Sequence, residues 1–542
     1  MIRFDKKLFA LELVIPNKNM FFKFFERHIT IILLFVLTAI STYAYVYYLQ
    51  NGLGLSYNDA RSHLDIGRRV VEGLKPGLAQ LGSVWLPLPH LLMVPTIWND
   101  FMWHSGLAGA LQSMISFVAT ALLIALFLKR LGVNLLGQLV GVFVFVANIN
   151  ILYLQSTAMT ELLLIMTMTA GVYELVMWHK TNNILNLIKS SFWIMLSTLN
   201  RYDGWFLFLV AMGLVFLQTW KKKGYKTAEG VVLLFATLGG LGIMLWLLWN
   251  QVIFKDALYF AFGPYSARAQ QLQLDEAGVL ASKGDILLSL KIYFYALAYN
   301  STLFIFILGT FGAILMWLDK KLSQEVRIAT LALWAPFAFN ILALFLGFSV
   351  LFVQGISGNT WFNVRYGVMM MPSLAIFIGY LVYRIVPLRP VIIGLILFVT
   401  FFMFRSADAV TIDDARVGSS QKNVTEVSGW LNKYAKDEKG FILISAASHD
   451  AIIFSSGLPM GKFIHEGTGA YWESATTAPD RWARWIVMRT NDNNDSSFKL
   501  VSKTSGYKLY NLVAKYPFAD IYELKEEYIK NLQTDAVYKN QR

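Results

Sequence analysis

Apolar runs long enough to cross a bilayer recur along most of this chain, near 29–49, 107–128, 134–153, 160–178, 184–199, 203–220, 228–249, 292–318, 328–353, 364–384 and 388–405. A bilayer core takes roughly 20 apolar residues per helical span. Backbone in lipid must satisfy its own hydrogen bonds, which restricts spanning structure to helices and closed barrels. A polytopic α-helical membrane protein with about eleven spans is therefore expected. Of the 542 residues, 56% are hydrophobic and 15% charged, more apolar surface than a soluble domain could cover. Trp85, Trp98, Trp103, Trp178, Trp205 and Trp220 sit at the ends of apolar runs, where interfacial belts form.

The net charge of +13 comes from short basic clusters between the runs: Arg3 to Arg27 before the first, then Lys129-Arg130, Lys221 to Lys226, Lys320-Lys321, and Arg384 with Arg389. With a cytoplasmic N-terminus, every cluster falls on the cytoplasmic side, as positive-inside topology requires. The opposite face then receives 50–106, 154–159, 200–204, 250–291, 354–363 and everything past 405. Scattered clusters form no single basic stripe, so no nucleic-acid partner is expected. No small-residue cleavage site follows 29–49, which reads as a retained signal anchor. There is no cysteine, excluding disulfides, thiolate metal sites and Cys nucleophiles, and fitting a prokaryotic cell membrane.

Three parts are expected: a cytoplasmic segment 1–28, a membrane domain 29–405, and an extracytoplasmic domain 406–542. In the outer loop 50–106, Leu64, Gly67, Val71 and Leu74 recur at helical spacing, so 59–74 reads as an amphipathic helix lying on the membrane. Prolines 87, 89 and 95 punctuate a second interfacial segment. Past 405 the pattern changes to a helix at 423–434 and buried strands at 440–445, 484–489 and 508–513. Helices among strands imply a small α/β domain.

Charged residues at the outer ends of spans are the candidates for chemistry. Asp59 follows the first span, in Asn58-Asp59-Ala60-Arg61, and suits the first turn of a helix. Arg61 and Asp65 lie on the same helix, where Arg68 and Arg69 also offer Asp65 ion pairs at i+3 and i+4. Glu161 opens a span behind the caps Thr157 and Thr160. Asn200-Arg201-Tyr202-Asp203-Gly204 is squeezed between two spans, and Asn363-Val364-Arg365-Tyr366 precedes another. Outer-face arginines run against the positive-inside bias, and anion binding is the simplest reason for Arg201 and Arg365. Arg268, in an aromatic Gly-Pro loop, suits a segment that covers substrate. The histidines lack metal-ligand spacing, and no Walker loop, GxGxxG or GxSxG is present. No oxygen-ligand spacing demands a divalent ion, although paired carboxylates could hold one.

This order of motifs resembles the GT-C membrane glycosyltransferases, especially the protein mannosyltransferase and lipid A aminoarabinose transferase branch (families 39 and 83). That branch carries an Asp-Glu-Ala-Arg-Tyr type sequence in its first outer loop. Here Asn58, Asp59, Arg61 and Ser62 stand at the corresponding places, leaving one acid where two are usual. The resemblance spans about 29–405 and implies a transferase that takes a sugar from a polyprenyl-phosphate donor in the membrane to a protein, lipid or polymer acceptor. Asp59 and Glu161 are then the catalytic carboxylates. Arg61, Asp65, Arg201, Tyr202, Asp203, Arg268, Arg365 and Tyr366 form the substrate-binding set. A lipid-linked sugar transporter and a non-catalytic scaffold are the rival readings; midplane charges and broken helices would mark the transporter.

Overall fold

A computed structural model describes residues 18–264, 266–406, 409–418 and 421–534. Most of the expected 1–28 segment, with Arg3, Lys6 and Lys7, lies outside the described residues. The eleven apolar runs are largely helical, although 328–353 leaves its helix at Phe345. The principal helices are, in chain order, α1 (Lys18–Gln50), α2 (Asn58–Val71), α3 (Leu88–Ile97), α4 (Leu107–Arg130), α5 (Leu135–Val146), α6 (Ile149–Leu154), α7 (Glu161–Thr181), α8 (Ile184–Thr198), α9 (Asp203–Lys223), α10 (Tyr225–Phe254), α11 (Ile286–Ser301), α12 (Leu303–Leu318), α13 (Gln324–Phe345), α14 (Val364–Arg384), α15 (Arg389–Ser406), α16 (Val410–Gly418), α17 (Gln421–Ala435) and α18 (Ala446–Ser456).

Eight of these are long and apolar enough to cross a membrane, or nine if α11 and α12 count as one span. The reading of eleven differs because hydropathy does not register breaks. α11 and α12 meet at 105° around Thr302, a β-branched residue at φ +68°. α5 stops at Val146, and α6 begins only after the Asn148 cap. At 12 and 15 residues, α5 and α8 reach only about 18 and 22 Å, short of a core of about 30 Å.

α7 and α14 form the centre, with 89% of each span buried, whereas α15, at 12%, lies at the edge. Glycines permit the tight packing: a Cβ on Gly312 of α12 would stand 2.3 Å from the Phe377 carbonyl oxygen of α14. α4, α7, α9 and α14 each end in a basic last turn, so their charges oppose the helix dipole at one common end of the bundle.

Beyond the bundle lies the expected α/β domain. Its five strands are β1 (Phe441–Ile444), β2 (Phe463–Ile464), β3 (Ala483–Met488), β4 (Tyr510–Lys515) and β5 (Asp520–Leu524), in sheet order β2-β1-β3-β5-β4. β2, β1 and β3 run parallel, and β5 is antiparallel to β3 and β4. Side chains alternate between faces. Ile442, Ile444, Trp485, Val487 and Ile521 join an apolar core continuous with the bundle. Phe441, Leu443, Ile486, Met488 and Leu524 form a second core on the far face.

α2 is the hinge of this docking, and here the expectation of a helix resting on lipid is corrected. Residues Ala60 to Arg68 are all buried. One side of α2 packs on α3, where a Cβ on Gly67 would touch Met93 and Ile97. The other side meets the C-terminal domain: Arg61 Nη1 donates to Ser455 Oγ of α18 at 3.2 Å, and Glu72 Oε1 accepts from the Met460 amide at 2.9 Å. Helical periodicity reveals an apolar face but not what covers the polar one.

Candidate active site

Segments far apart in sequence meet at the end of the bundle opposite the basic helix termini. The centre is Arg365, in the first turn of α14 and 6% exposed. Its Nη2 lies 2.6 Å from Asp59 Oδ2, its Nε 3.0 Å from Glu161 Oε1, and its Nη1 3.6 Å from Asp414 Oδ2. The guanidinium lies 4.9 Å from the Tyr57 ring centroid. All three nitrogens thus face carboxylates.

Arg201, between α8 and α9, shares Glu161 with Arg365. Its Nη1 is 3.3 Å from the same Oε1 and 3.4 Å from Thr160 Oγ1, and its Nε is 3.4 Å from Asp203 Oδ2. These contacts are longer than those of Arg365, and the side chain is 20% exposed. Tyr366 lies between the two cations, 4.8 Å from Arg201 and 5.4 Å from Arg365. Four carboxylates face two guanidiniums, a formal excess of two negative charges. Glu161 is fully buried, yet its Oε2 has no hydrogen-bond partner among the described residues. Asp59 is the open member, with 43% of its side chain exposed.

A buried amide network holds the cluster from behind. The bend after Ser301 frees the Asn300 carbonyl, which accepts from Asn148 Nδ2 at 2.7 Å and Asn150 Nδ2 at 3.2 Å. Asn150 Oδ1 in turn accepts from the amide and hydroxyl of Thr411, at 3.1 and 2.8 Å. The Tyr57 hydroxyl donates to the Thr411 carbonyl at 2.7 Å and lies 3.1 Å from Asp414 Oδ2. Burial, with Asp414 beside it, holds the Tyr57 phenol well above its ordinary pKa, so it remains a donor. Gly367 allows α14 to approach α11, since a Cβ there would lie 2.4 Å from the Ala296 carbonyl oxygen.

His63, one turn after Asp59, places Nδ1 2.9 Å from His90 Nε2 and its ring 4.6 Å from Trp85. Burial, reinforced by Arg201 and Arg365, pushes its pKa down to about 3, so it adds no cation at neutral pH.

The structure therefore brings together Asp59, Glu161, Arg201, Asp203, Arg365 and Tyr366. Tyr202 lies beside them, its ring stacked 5.9 Å from Phe260. Arg61 and Asp65 turn to the scaffold. Arg61 Nε donates to the Leu55 carbonyl at 2.9 Å, and burial lowers its pKa to about 10. Asp65 accepts from Trp103 Nε1 at 3.2 Å, while Arg68 pairs with Glu72 and Asp100. Arg268 is exposed, 4.9 Å from the Phe262 ring, and no contact among the described residues joins it to Arg201 or Arg365. Sequence reasoning missed Tyr57 and Asp414. One signal was available: Asp413-Asp414-Ala415-Arg416, just past the last span, repeats Asn58-Asp59-Ala60-Arg61, just past the first. Both second-position aspartates reach the same guanidinium. Among the described residues, no group of three or more His, Asp and Glu is arranged to hold a metal ion.

No family model and no curated protein matches the sequence. Solved structures do match. ArnT from Cupriavidus metallidurans bound to undecaprenyl phosphate aligns over 88% of this chain and 97% of its own, at 11% identity and TM-score 0.50. Its apo state aligns over 88% and 96%, at the same identity and TM-score. The archaeal oligosaccharyltransferase AglB from Archaeoglobus fulgidus, in complex with an inhibitory peptide and a dolichol-phosphate, aligns over 85% of this chain and 69% of its own, at 10% identity and TM-score 0.50. The chain shares the fold of these proteins, the GT-C fold that the sequence resemblance implied. It is a multi-pass membrane protein of that architecture.

Proposed function

We propose that this protein transfers a sugar from a polyprenyl-phosphate donor to an extracytoplasmic acceptor by single displacement. The observation that carries the reading is Asp59: a half-exposed carboxylate, anchored through Oδ2 to buried Arg365, beside the more open Arg201. The acceptor hydroxyl or amine attacks the anomeric carbon and gives its proton to Oδ1 of Asp59, the oxygen that Arg365 does not hold. The bond from that carbon to the phosphate oxygen breaks on the opposite face, so configuration inverts. The lipid phosphate departs as a stable anion and needs no general acid.

The geometry divides the arginines' work. Arg365, engaged on every nitrogen, orients the base. Arg201, with longer contacts and greater exposure, stabilises charge on the departing phosphate. Glu161 Oε2 is the natural acceptor for a sugar or acceptor hydroxyl, because a buried carboxylate oxygen left without a partner is costly. Asp203 fixes Arg201, and Asp414 and Tyr57 fix Arg365 from behind. The basic helix ends opposite the cluster support a cytoplasmic N-terminus in a prokaryotic cell membrane, with the site and the 406–542 domain outside. The acceptor is a protein, lipid or polymer presented on that face.

The break between α11 and α12 meets one mark of a transporter of the same donor, but that reading is disfavoured because the charged groups gather at one end of the bundle and not at its midplane. Release of free polyprenyl phosphate from a sugar-labelled donor, by protein in detergent without energy input, separates the readings. Acceptor-dependent release is expected; donor movement across vesicles without release would replace the transferase.

A further inference from the structure

The opposite end of the bundle carries a second polar site, some 21 residues along α7 from Glu161, or about 30 Å. Here the ends of α7 and α9 and the starts of α8 and α10 enclose a cavity of about 150 Å³. On the same measure a single water needs only about 10–15 Å³. Its lining includes Trp178, Ile184, Gln218, Thr219, Lys222 and Lys223. Gln218 and Thr219 are 8% and 4% exposed, yet both amide atoms of Gln218 and the hydroxyl of Thr219 lack any hydrogen-bond partner among the described residues. Native interiors rarely leave three neighbouring polar atoms unpaired. Lys222 is paired with Glu325 at 3.1 Å, whereas Lys223 has no ion-pair partner among the described residues.

The surroundings place this cavity at headgroup depth. Trp220 and Tyr225 are exposed beside it and pack on Phe216 at 5.5 and 6.3 Å, in the manner of an interfacial aromatic belt. Ile184, which lines the cavity, is exposed at its apolar lip. Lysines supply charge, the orphaned amide and hydroxyl supply hydrogen bonds, and the lip supplies a surface for acyl chains. We infer that this cavity binds a phosphate group, carried by an anionic phospholipid of the inner leaflet. Lys223 and Lys222 face the phosphate charge, Gln218 Nε2 and Thr219 Oγ1 donate to its oxygens, and the acyl chains follow Ile184. The site is independent of sugar transfer.

The test uses the full chain in detergent, titrated with phosphatidylglycerol, with phosphatidylcholine, and with inorganic phosphate, reading Tm and bound lipid. Phosphatidylglycerol should raise Tm well above the phosphatidylcholine response. Lys223→Gln and Gln218→Leu should each weaken that binding about tenfold, the loss expected for one charge-assisted hydrogen bond. If inorganic phosphate reproduces the shift and the same variants abolish it, the phosphate site stands with a soluble source. If neither phosphate form binds, or if the variants leave binding unchanged, the inference is wrong. Gln218→Leu gives a further readout: over an empty cavity, removing the orphaned amide would raise Tm with no change in lipid response.

Discussion

The two ends of the bundle both pair arginine with carboxylate at similar distances, yet they are built differently. Arg384 lies 2.5 Å from Asp319 and is a quarter exposed. Asp319 also accepts from the Tyr380 hydroxyl at 2.5 Å and the Lys321 amide at 2.9 Å, so that carboxylate has donors besides its arginine. Arg365, at 2.6 Å from Asp59, serves three carboxylates drawn from α2, α7 and α16. Around it negative charge remains in excess and a buried oxygen remains unpaired. A short ion pair does not distinguish a working centre. Uncompensated charge, joined from several elements, does.

The largest test of that contrast replaces each arginine by methionine. Arg365→Met leaves Asp59 and Asp414 without a cation and Glu161 with Arg201 alone, and should cost about 3–5 kcal/mol, with sugar transfer abolished. Arg384→Met should cost about 1 kcal/mol or less, because Asp319 keeps two donors. Denaturation of the two variants in the same detergent makes the comparison, and equal losses would break it. A smaller effect is expected at Asp414, which reaches the reaction only through Arg365. Asp414→Asn should lower kcat about 10- to 100-fold with donor KM nearly unchanged, the pattern of a slightly displaced base. A change in KM alone would instead place Asp414 against the donor.

Smaller still is a pH effect. The pKa of His63 is pushed to about 3 by burial and the neighbouring guanidiniums, and that of His465 to about 3 by burial, from ordinary values of 6.5. Between pH 6.5 and 3 the unfolded chain binds these protons and the folded chain does not. Stability is therefore fully present above pH 6.5 and falls on acidification, by up to about 1.4 kcal/mol per pH unit for each histidine. His465→Asn should flatten the fall in Tm between pH 6.5 and 4.5. An unchanged slope would remove that histidine from the account.

Much of this was legible in the sequence. The apolar runs became largely helical because hydropathy reports burial in lipid directly. The bend at Thr302 and the interruption at Ala147 were not legible, since they leave hydropathy unchanged while shortening the span. Asp59, Glu161, Arg201 and Arg365 stood out as charges at the outer lip of a span, and the two arginines also oppose the positive-inside bias. Asp414 did not, because it follows the last apolar run, in a stretch that reads as the start of a soluble domain. Arg61 and Asp65 were grouped with the site by proximity on α2. Helix geometry separates them, turning both toward the docked domain and scaffold while Asp59 faces Arg365.

The central claim rests on Asp59 as the base held by Arg365. Sugar transfer by Asp59→Asn, measured on protein whose Tm matches that of the parent, tests it most directly. Loss of about 10²–10⁴-fold in kcat with the fold intact is the predicted result. Transfer at the parental rate would contradict the account.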